Sequence, residues 1–547
     1  MKQVVEEFMR KRSTLLIVLT LLSGSAIGGI YGSQSEGRTA EWNQDLRRLA
    51  EILDLAERNY VVPIDPEETI YQSIHGLLRQ LDPHSQFLDP QSYANLKEEH
   101  RGHFYGLGIT IQKIEDRLTV ISPIEGTPAY RMGIRAGDVI AEIEGESTKE
   151  MTSDQAARKL RGQKGTAVRI SIVRQGIDEP LEFTIVRDEI PLLSVPYAFL
   201  INGSTGYVGV RNFTETTEKE LTDAFGELSR TGMKRLILDL RGNTGGILDQ
   251  AISVSDLFLR KGQLIVYTRG RGRGTSQEFN ASEDGQYESL PLIVLVNHGS
   301  ASAAEIVAGA IQDHDRGLVI GETTWGKGLV QSIFRLSHDS ALALTTSKYY
   351  TPTGRCIQRD YSKSLEEYYF STEDEIKRMP RGEAHLTPAG RTVYGGGGIT
   401  PDVEVEPPET TKYFDMLASR RAFFDYTTNF IAGLTTLGKT MQVKDPHTGR
   451  VNLELSYRVG EDIIRDFKEF LVQKQIASDE KQFGESEYLI RIALQRELFA
   501  DLWGAQEAIR STIQDDPVLL RGEQLFPQAE AMAAAAMAAS LKAAPSR

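Results

Sequence analysis

Residues 290–306 read LPLIVLVNHGSASAAEI, a strand, a turn and the start of a helix. Leu290 to Val296 form a continuous apolar run, as in a strand with both faces covered. Asn297 to Ser300 make a turn. From Ala303 onward Ile306, Val307, Ala310 and Ile311 fall on one face of a helix. Ser302 lies at the start of that helix. There the free N–H groups and the positive dipole end favour a developing negative charge. Taken alone, Ser300 or Ser302 reads as no more than an N-cap.

Residues 321–331, GETTWGKGLVQ, place Lys327 between two glycines, with Gln331 four residues on. A serine hydroxyl is a poor nucleophile until a base takes its proton. A lysine can be that base only when neutral, so its pKa must fall from ~10.4 to roughly 7–8. Such a shift of about 3 units costs on the order of 4 kcal/mol, supplied by burial. A third segment, RLILDL at 235–240, is another buried strand, followed by the glycine-rich turn Arg241–Gly246. Acyl transfer needs N–H donors aimed at an oxyanion, and glycine lets the backbone come close enough to supply them. By itself this turn is an ordinary strand-to-helix loop.

Together the three segments resemble the carboxy-terminal processing peptidases, also called tail-specific proteases. SASAAEI departs from the family's usual SASASEI only at Ala304. TWGKGLVQ matches its TFGKGxVQ, and LDLRGNTGG matches its LDLRxNxGG. LDPHSQFLDP at 81–90, KYYTPTGRCIQ at 348–358 and GGGGITPDV at 395–403 extend the likeness, which covers roughly residues 45–407. The resemblance implies Ser302 as nucleophile, Lys327 as general base and Gln331 as the residue orienting the lysine. It also implies an oxyanion hole from the amides of Ala303 and Gly246. Ser302 and Lys327 stand 25 residues apart, the family's spacing. The implied core is a crotonase-like spiral of ββα units.

The length of 547 residues exceeds one ordinary domain. With 40% hydrophobic and 25% charged residues the chain is globular. A net charge of −14 argues against a nucleic-acid partner. One cysteine, Cys356, excludes an intrachain disulfide, and no Cys/His cluster has zinc spacing. No metal or cofactor is expected. Lys2 and Arg10 to Arg12 precede an uncharged stretch from Ser13 to Ser35, with an apolar centre at Leu15–Leu22. Ser23-Gly-Ser-Ala26 then offers a small-residue cleavage site, as in a secretory signal. The same stretch is long enough to be a membrane anchor. The expectation is an exported protein, periplasmic or anchored and facing outward.

The chain divides on this reading into the leader (1–36), an N-terminal helical region (37–100), a PDZ domain (101–188), the Ser/Lys protease core (189–409) and a C-terminal helical extension (410–547). In the helical region, Leu46, Leu49, Leu53 and Ala56 form one stripe, and Ile70, Ile74, Leu77, Leu78 and Leu81 form another. These are expected to pack on each other. Residues 101–188 resemble a PDZ domain: Tyr105-Gly106-Leu107-Gly108-Ile109 opens short strands, with the AGDVI strand and a helix near 153–160 following. In such domains this loop offers N–H groups to a terminal carboxylate while the peptide adds as a strand. Arg161, after that helix, is placed to signal peptide occupancy to the active site, though an arginine there is more often a solvated surface residue. Strands and helices alternate through 189–409 in an α/β pattern, with a charged, Tyr-rich elaboration at 360–394.

The extension carries helical stripes, Ile463-Phe467-Phe470-Leu471 and Ile490-Leu494-Leu498-Leu502, suited to a bundle, the catalytic core, a second copy of the chain or an adaptor. Ser302, Lys327 and Gln331 all lie upstream of it, so truncation near 409 is expected to spare cleavage of a short peptide. The substrates expected are proteins or peptides with free C-termini. Two other functions compete. One is a catalytically silent PDZ scaffold, which would not need Ser302, Lys327 and Gln331 together. The other is a Ser/His/Asp hydrolase using His298 or His314, but residues 300–304 lack the G-x-S-x-G elbow of that class.

Overall fold

A computed structural model describes residues 36–362, 365–370, 382–441, 451, 453–476 and 479–543. The leader read over 1–36 lies outside these residues but for Glu36. The described residues form two compact units, one of 36–91 with 332–344, the other of 92–331 with the described part of 345–543.

In the first unit, helices Glu36–Asn59 and Pro66–Leu78 precede a short strand, Gln86–Leu88. That strand pairs antiparallel with Ala341–Ala343. Asp65 caps the second helix by accepting from the N–H groups of Glu67 and Glu68. The two expected stripes do not bury each other: Leu46, Leu49, Leu77 and Leu81 are exposed, and of the second stripe only Leu78 is buried. Two helices and one strand pair enclose too little volume to cover both faces.

The second unit begins with the module read over 101–188. Its sheet runs in the order Ile109–Ile114, Arg117–Pro123, Val139–Ile143, Ala167–Val173, Leu181–Val186. Helix Ser153–Leu160 carries a full capping box, Thr152 with Gln155. Leu118, Val120, Ile140, Ile143, Ala156 and Leu160 fill the core between sheet and helix. Among the described residues, strand Ile109–Ile114 is paired on one side only, at the edge of its sheet.

The catalytic region is built on a six-stranded sheet. Its order is Tyr197–Ile201, Thr205–Gly209, Arg235–Asp239, Leu292–Val296, Leu318–Gly321, Val403–Glu404. The first pair is antiparallel and the rest are parallel. Alternate residues of each strand point to opposite faces. Leu236, Leu238, Val294 and Val296 share one cluster with residues of helices Thr217–Arg230, Leu248–Asp256 and Ala303–Asp313. Ile237, Ile293 and Leu295 lie on the other face, against Val518, Leu519 and Phe526 of the last helix, Pro517–Ala543. Both faces are therefore dry, which is why these strands read as unbroken apolar runs. The charged elaboration at 360–394 contains one short helix, Leu365–Phe370, and a hairpin, Ala384–Leu386 with Thr392–Tyr394. Residues 371–381 lie outside the described ones.

The two C-terminal stripes share one destination. Ile463, Phe467, Phe470, Leu471, Ile490, Leu494 and Leu498 join Leu417, Tyr426 and Phe430 in a helical bundle with its own core. The last helix instead belongs to the catalytic sheet. The change of direction comes after Gly504, whose φ of 83° interrupts the long helix Glu480–Ser511 at a position only glycine adopts readily.

Candidate active site

Two loops leave the C-terminal ends of neighbouring parallel strands, where open α/β sheets place their sites. One carries Arg241–Gly246, the other Asn297–Ser302. Side-chain amides stitch them together. Asn297 Oδ1 accepts from the N–H of Gly242 at 2.8 Å and of Gly299 at 3.1 Å. Asn243, fully buried, accepts from Gly245 N–H at 2.8 Å and donates to the Val210 carbonyl at 2.9 Å. Its own carbonyl accepts from Ala301 N–H at 2.8 Å.

The two serines have different tasks. Ser300 is buried, and its hydroxyl bonds the Leu240 carbonyl at 2.8 Å and the Asn297 N–H at 3.0 Å. Ser302, at the helix start, is half-buried. Its backbone sits at φ 55°, ψ −113°, a conformation rare for any residue but glycine. Such strain costs on the order of 1–3 kcal/mol and persists only where the surroundings hold it.

Those surroundings are two buried groups that the sequence reading did not single out. Glu305, three residues into the nucleophile segment, is fully buried. Its Oε2 accepts from the N–H of Ser302 at 2.7 Å and of Lys327 at 2.9 Å. Its Oε1 accepts from Gly326 N–H at 2.7 Å and from the Thr324 hydroxyl at 2.5 Å. Burial pushes the carboxyl above the ordinary glutamate range, against hydrogen bonds from Thr324, Lys327, Gly326 and Ser302 that pull it down. Tyr349, also buried, sends its hydroxyl to the Ser302 carbonyl at 3.1 Å and to the Lys327 carbonyl at 2.5 Å. Ser302 and Lys327 are thus joined through one oxygen on their N–H side and one hydroxyl on their carbonyl side. The sequence signal for Glu305 was its place three residues after Ser302, which reads as half of a capping box.

This arrangement predicts the behaviour of Glu305 variants. Glu305→Ala would strand three N–H donors and a hydroxyl, each about 1–3 kcal/mol when buried without an acceptor. Denaturant melts should show a loss of about 3 kcal/mol or more, together with loss of peptide cleavage. Glu305→Gln should be milder: its NH₂ can face Thr324, keeping the bonds to Ser302 and Lys327 and giving up the one from Gly326. An alanine variant with unchanged stability and rate would refute the brace.

Lys327 and Gln331 are half-buried, and Gln331 Nε2 donates to the Thr345 hydroxyl at 3.2 Å. Gly328 N–H is held by the Gln358 side chain at 2.8 Å. Ala303 supplies the first N–H of its helix. Gly246 forms a parallel bridge with Phe213 in which the N–H groups of Phe213 and Ile247 are the donors. Both glycines are required by close approach. A Cβ at 245 would come within 2.7 Å of Ser302 Cβ, and one at 246 within 2.1 Å of the Phe213 carbonyl oxygen.

The remaining candidates lie elsewhere. His314 Nε2 is 2.7 Å from the Leu264 carbonyl and Nδ1 is 3.2 Å from Gln263, so both nitrogens are engaged away from Ser302. His298 lies against the Trp325 ring, 5.2 Å between centroids. In the 101–188 module, Tyr105 and Gly106 end a strand paired with Glu189 and Asp188. Leu107 and Gly108 make the turn, and Ile109 starts the edge strand. The Leu107 and Gly108 carbonyls accept from Ala129 and Ile124 at 2.9 and 2.8 Å, so they point into the module. Arg161 is not simply solvated: it bonds Glu98 at 2.7 Å and covers the Phe104 ring at 4.7 Å. No hydrogen bond among the described residues links it to the loops of Ser302 or Lys327.

The profile of Peptidase family S41 matches residues 204–363, and that of the PDZ domain matches 119–174. A carboxy-terminal-processing protease of Bartonella bacilliformis is 38% identical over 374 residues, 68% of this chain and 77% of that relative. A carboxyl-terminal-processing protease of Synechocystis is 38% identical over 313 residues, 56% of this chain and 72% of its own. Among solved structures, a photosystem II D1 C-terminal processing protease aligns at 27% identity with 66% of this chain and 86% of its own, with a TM-score of 0.35. The chain belongs to the carboxy-terminal-processing proteases, serine-type peptidases of family S41 that carry a PDZ domain.

Proposed function

We propose that this protein is an exported endopeptidase that cuts protein substrates at or near their C-termini with a Ser/Lys dyad. Ser302 attacks the scissile carbonyl and Lys327, neutral, takes the hydroxyl proton. Gln331 orients the lysine, and the amides of Ala303 and Gly246 stabilise the oxyanion. The observation that carries this reading is the double tether of Ser302 and Lys327 through Glu305 and Tyr349. The helix dipole behind Ser302 adds to it. The strand–helix order of 197–321 fits a crotonase-like spiral. Export rests on the basic, then apolar, N-terminal segment, and leaves both a cleaved leader and a membrane anchor as forms of the mature protein.

The PDZ domain captures the substrate C-terminus. The outer edge of Ile109–Ile114, flanked by helix Ser153–Leu160, can accept an added strand, and the Leu107-Gly108 turn has its carbonyls drawn inward, so its N–H groups are available to a carboxylate. The test uses the full chain with Ser302→Ala, so that ligands survive. Peptides with a free apolar C-terminal residue should bind at least about tenfold more tightly than their amidated forms, because the amide removes the charge that the N–H groups accept. Equal affinity by calorimetry would refute carboxylate capture.

A further inference from the structure

We propose that the last helix, Pro517–Ala543, is a working part of the catalytic machinery, and that Asp516 at its start is a positioning residue for the oxyanion loop. The inference rests on the reading of Gly246 and Ala303 as oxyanion donors.

Arg241 is the first residue of the glycine loop, and its guanidinium is shared between two carboxylates. Nε and Nη2 reach Asp239, at the end of the strand, with the shortest contact at 2.7 Å. Nη1 and Nη2 reach Asp516 at 3.1 and 2.7 Å. The side chains of Arg241, Asp239 and Asp516 are 21%, 5% and 14% exposed, so water screens the pairs poorly. Asp239 is itself held by the Tyr207 hydroxyl at 2.6 Å. Asp516 also caps the last helix, accepting from the N–H groups of Val518 and Leu519 at 3.1 Å. The helix in turn is seated on the sheet by Phe526 and by Glu523, which bonds Arg235 at 3.0 Å. One carboxylate therefore ties the start of the glycine loop to an element that arrives some 270 residues later in the chain.

A loop that supplies an oxyanion donor must hold it to a fraction of an ångström, and a misplacement of about 1 Å can cost roughly 100-fold in rate. Asn243 and Asn297 hold the middle of the loop, and Asp239 keeps part of Arg241. Loss of Asp516 is therefore a partial release. The expected loss is about 5- to 50-fold, below the roughly 10²–10³-fold of deleting a donor outright.

Asp516→Asn tests this, because asparagine caps a helix as well as aspartate while removing the charge that Arg241 pairs with. The full-length variant should show kcat for a short peptide lowered about tenfold and KM within about twofold. Its melting temperature should stay within a few degrees. Amide exchange across 241–246 should quicken. A peptide aldehyde, whose adduct with Ser302 places an oxygen in the oxyanion hole, should lose affinity in step with kcat/KM. Asp516→Ser, which keeps the cap and shortens the reach, should behave alike, and Asp516→Glu should recover much of the rate. Unchanged kcat with unchanged exchange at 241–246 would overturn the proposal. So would a glutamate variant as slow as the asparagine one. Quickened exchange with unchanged kcat and aldehyde affinity would overturn the oxyanion reading beneath it.

Discussion

Lys327→Ala is expected to lower kcat for peptide cleavage by about four orders of magnitude or more, with the melting temperature nearly unchanged. Without a base the Ser302 hydroxyl keeps its proton, and the oxyanion donors alone supply only residual catalysis. The fold should survive because the loop is held by its backbone: Lys327 by Glu305 and Tyr349, Gly328 by Gln358, and Gly326 by Glu305 and by Arg359 N–H at 2.8 Å. None of these contacts uses the lysine side chain. Lys327→Arg should be equally inactive, since a guanidinium does not give up its proton near neutral pH. In the parent enzyme the rate should climb with pH as the lysine becomes neutral. Gln331→Ala should lose less than either. Substantial cleavage by the arginine variant, or a rate flat from about pH 6 to about 9, would rule out lysine as the base.

Deletion of residues 517–547 is expected to abolish soluble, folded protein. Ile237, Ile293, Leu295, Leu318 and Ile320 are each at most 1% exposed, and the last helix covers their face of the sheet. Returning one such side chain to water costs about 1.5–3 kcal/mol. Five cost on the order of 10 kcal/mol, as much as the whole stability of many domains at about 5–15 kcal/mol. The truncated chain should aggregate in size-exclusion light scattering and lose its cooperative melt. From the sequence, cutting near 409 looks harmless to short-peptide cleavage, because the three candidate catalytic residues lie upstream. The structure argues the opposite, since the catalytic sheet is closed by residues from the far end. A monodisperse deletion form with the parent melting temperature would overturn this.

The two braces differ in what they hold. Glu305 and Tyr349 hold the reacting residues to each other, so their loss should reach both stability and rate. Asp516 holds a loop that three other side chains also restrain, so its loss should reach rate first.

Read alone, the sequence settles those elements of the fold whose signal is local. Apolar runs such as LILDL and LIVLV mark strands dry on both faces, because parallel strands under helices bury every side chain. Glycines 245 and 246 mark a turn, because only glycine takes their backbone angles and tight spacing. The motifs around Ser302, Lys327 and Gln331 name the family, which the relatives bear out. Tertiary structure decided the partners. Glu305 looks like half a cap until the chain brings Thr324, Gly326 and Lys327 to it from about twenty residues away. Val518, Leu519 and Phe526 of the last helix fit any apolar face, since the hydrophobic effect has no direction, and only the assembled sheet shows which face they cover. Asp516 caps residues next to it in the chain, while its second partner, Arg241, is brought to it from some 270 residues away.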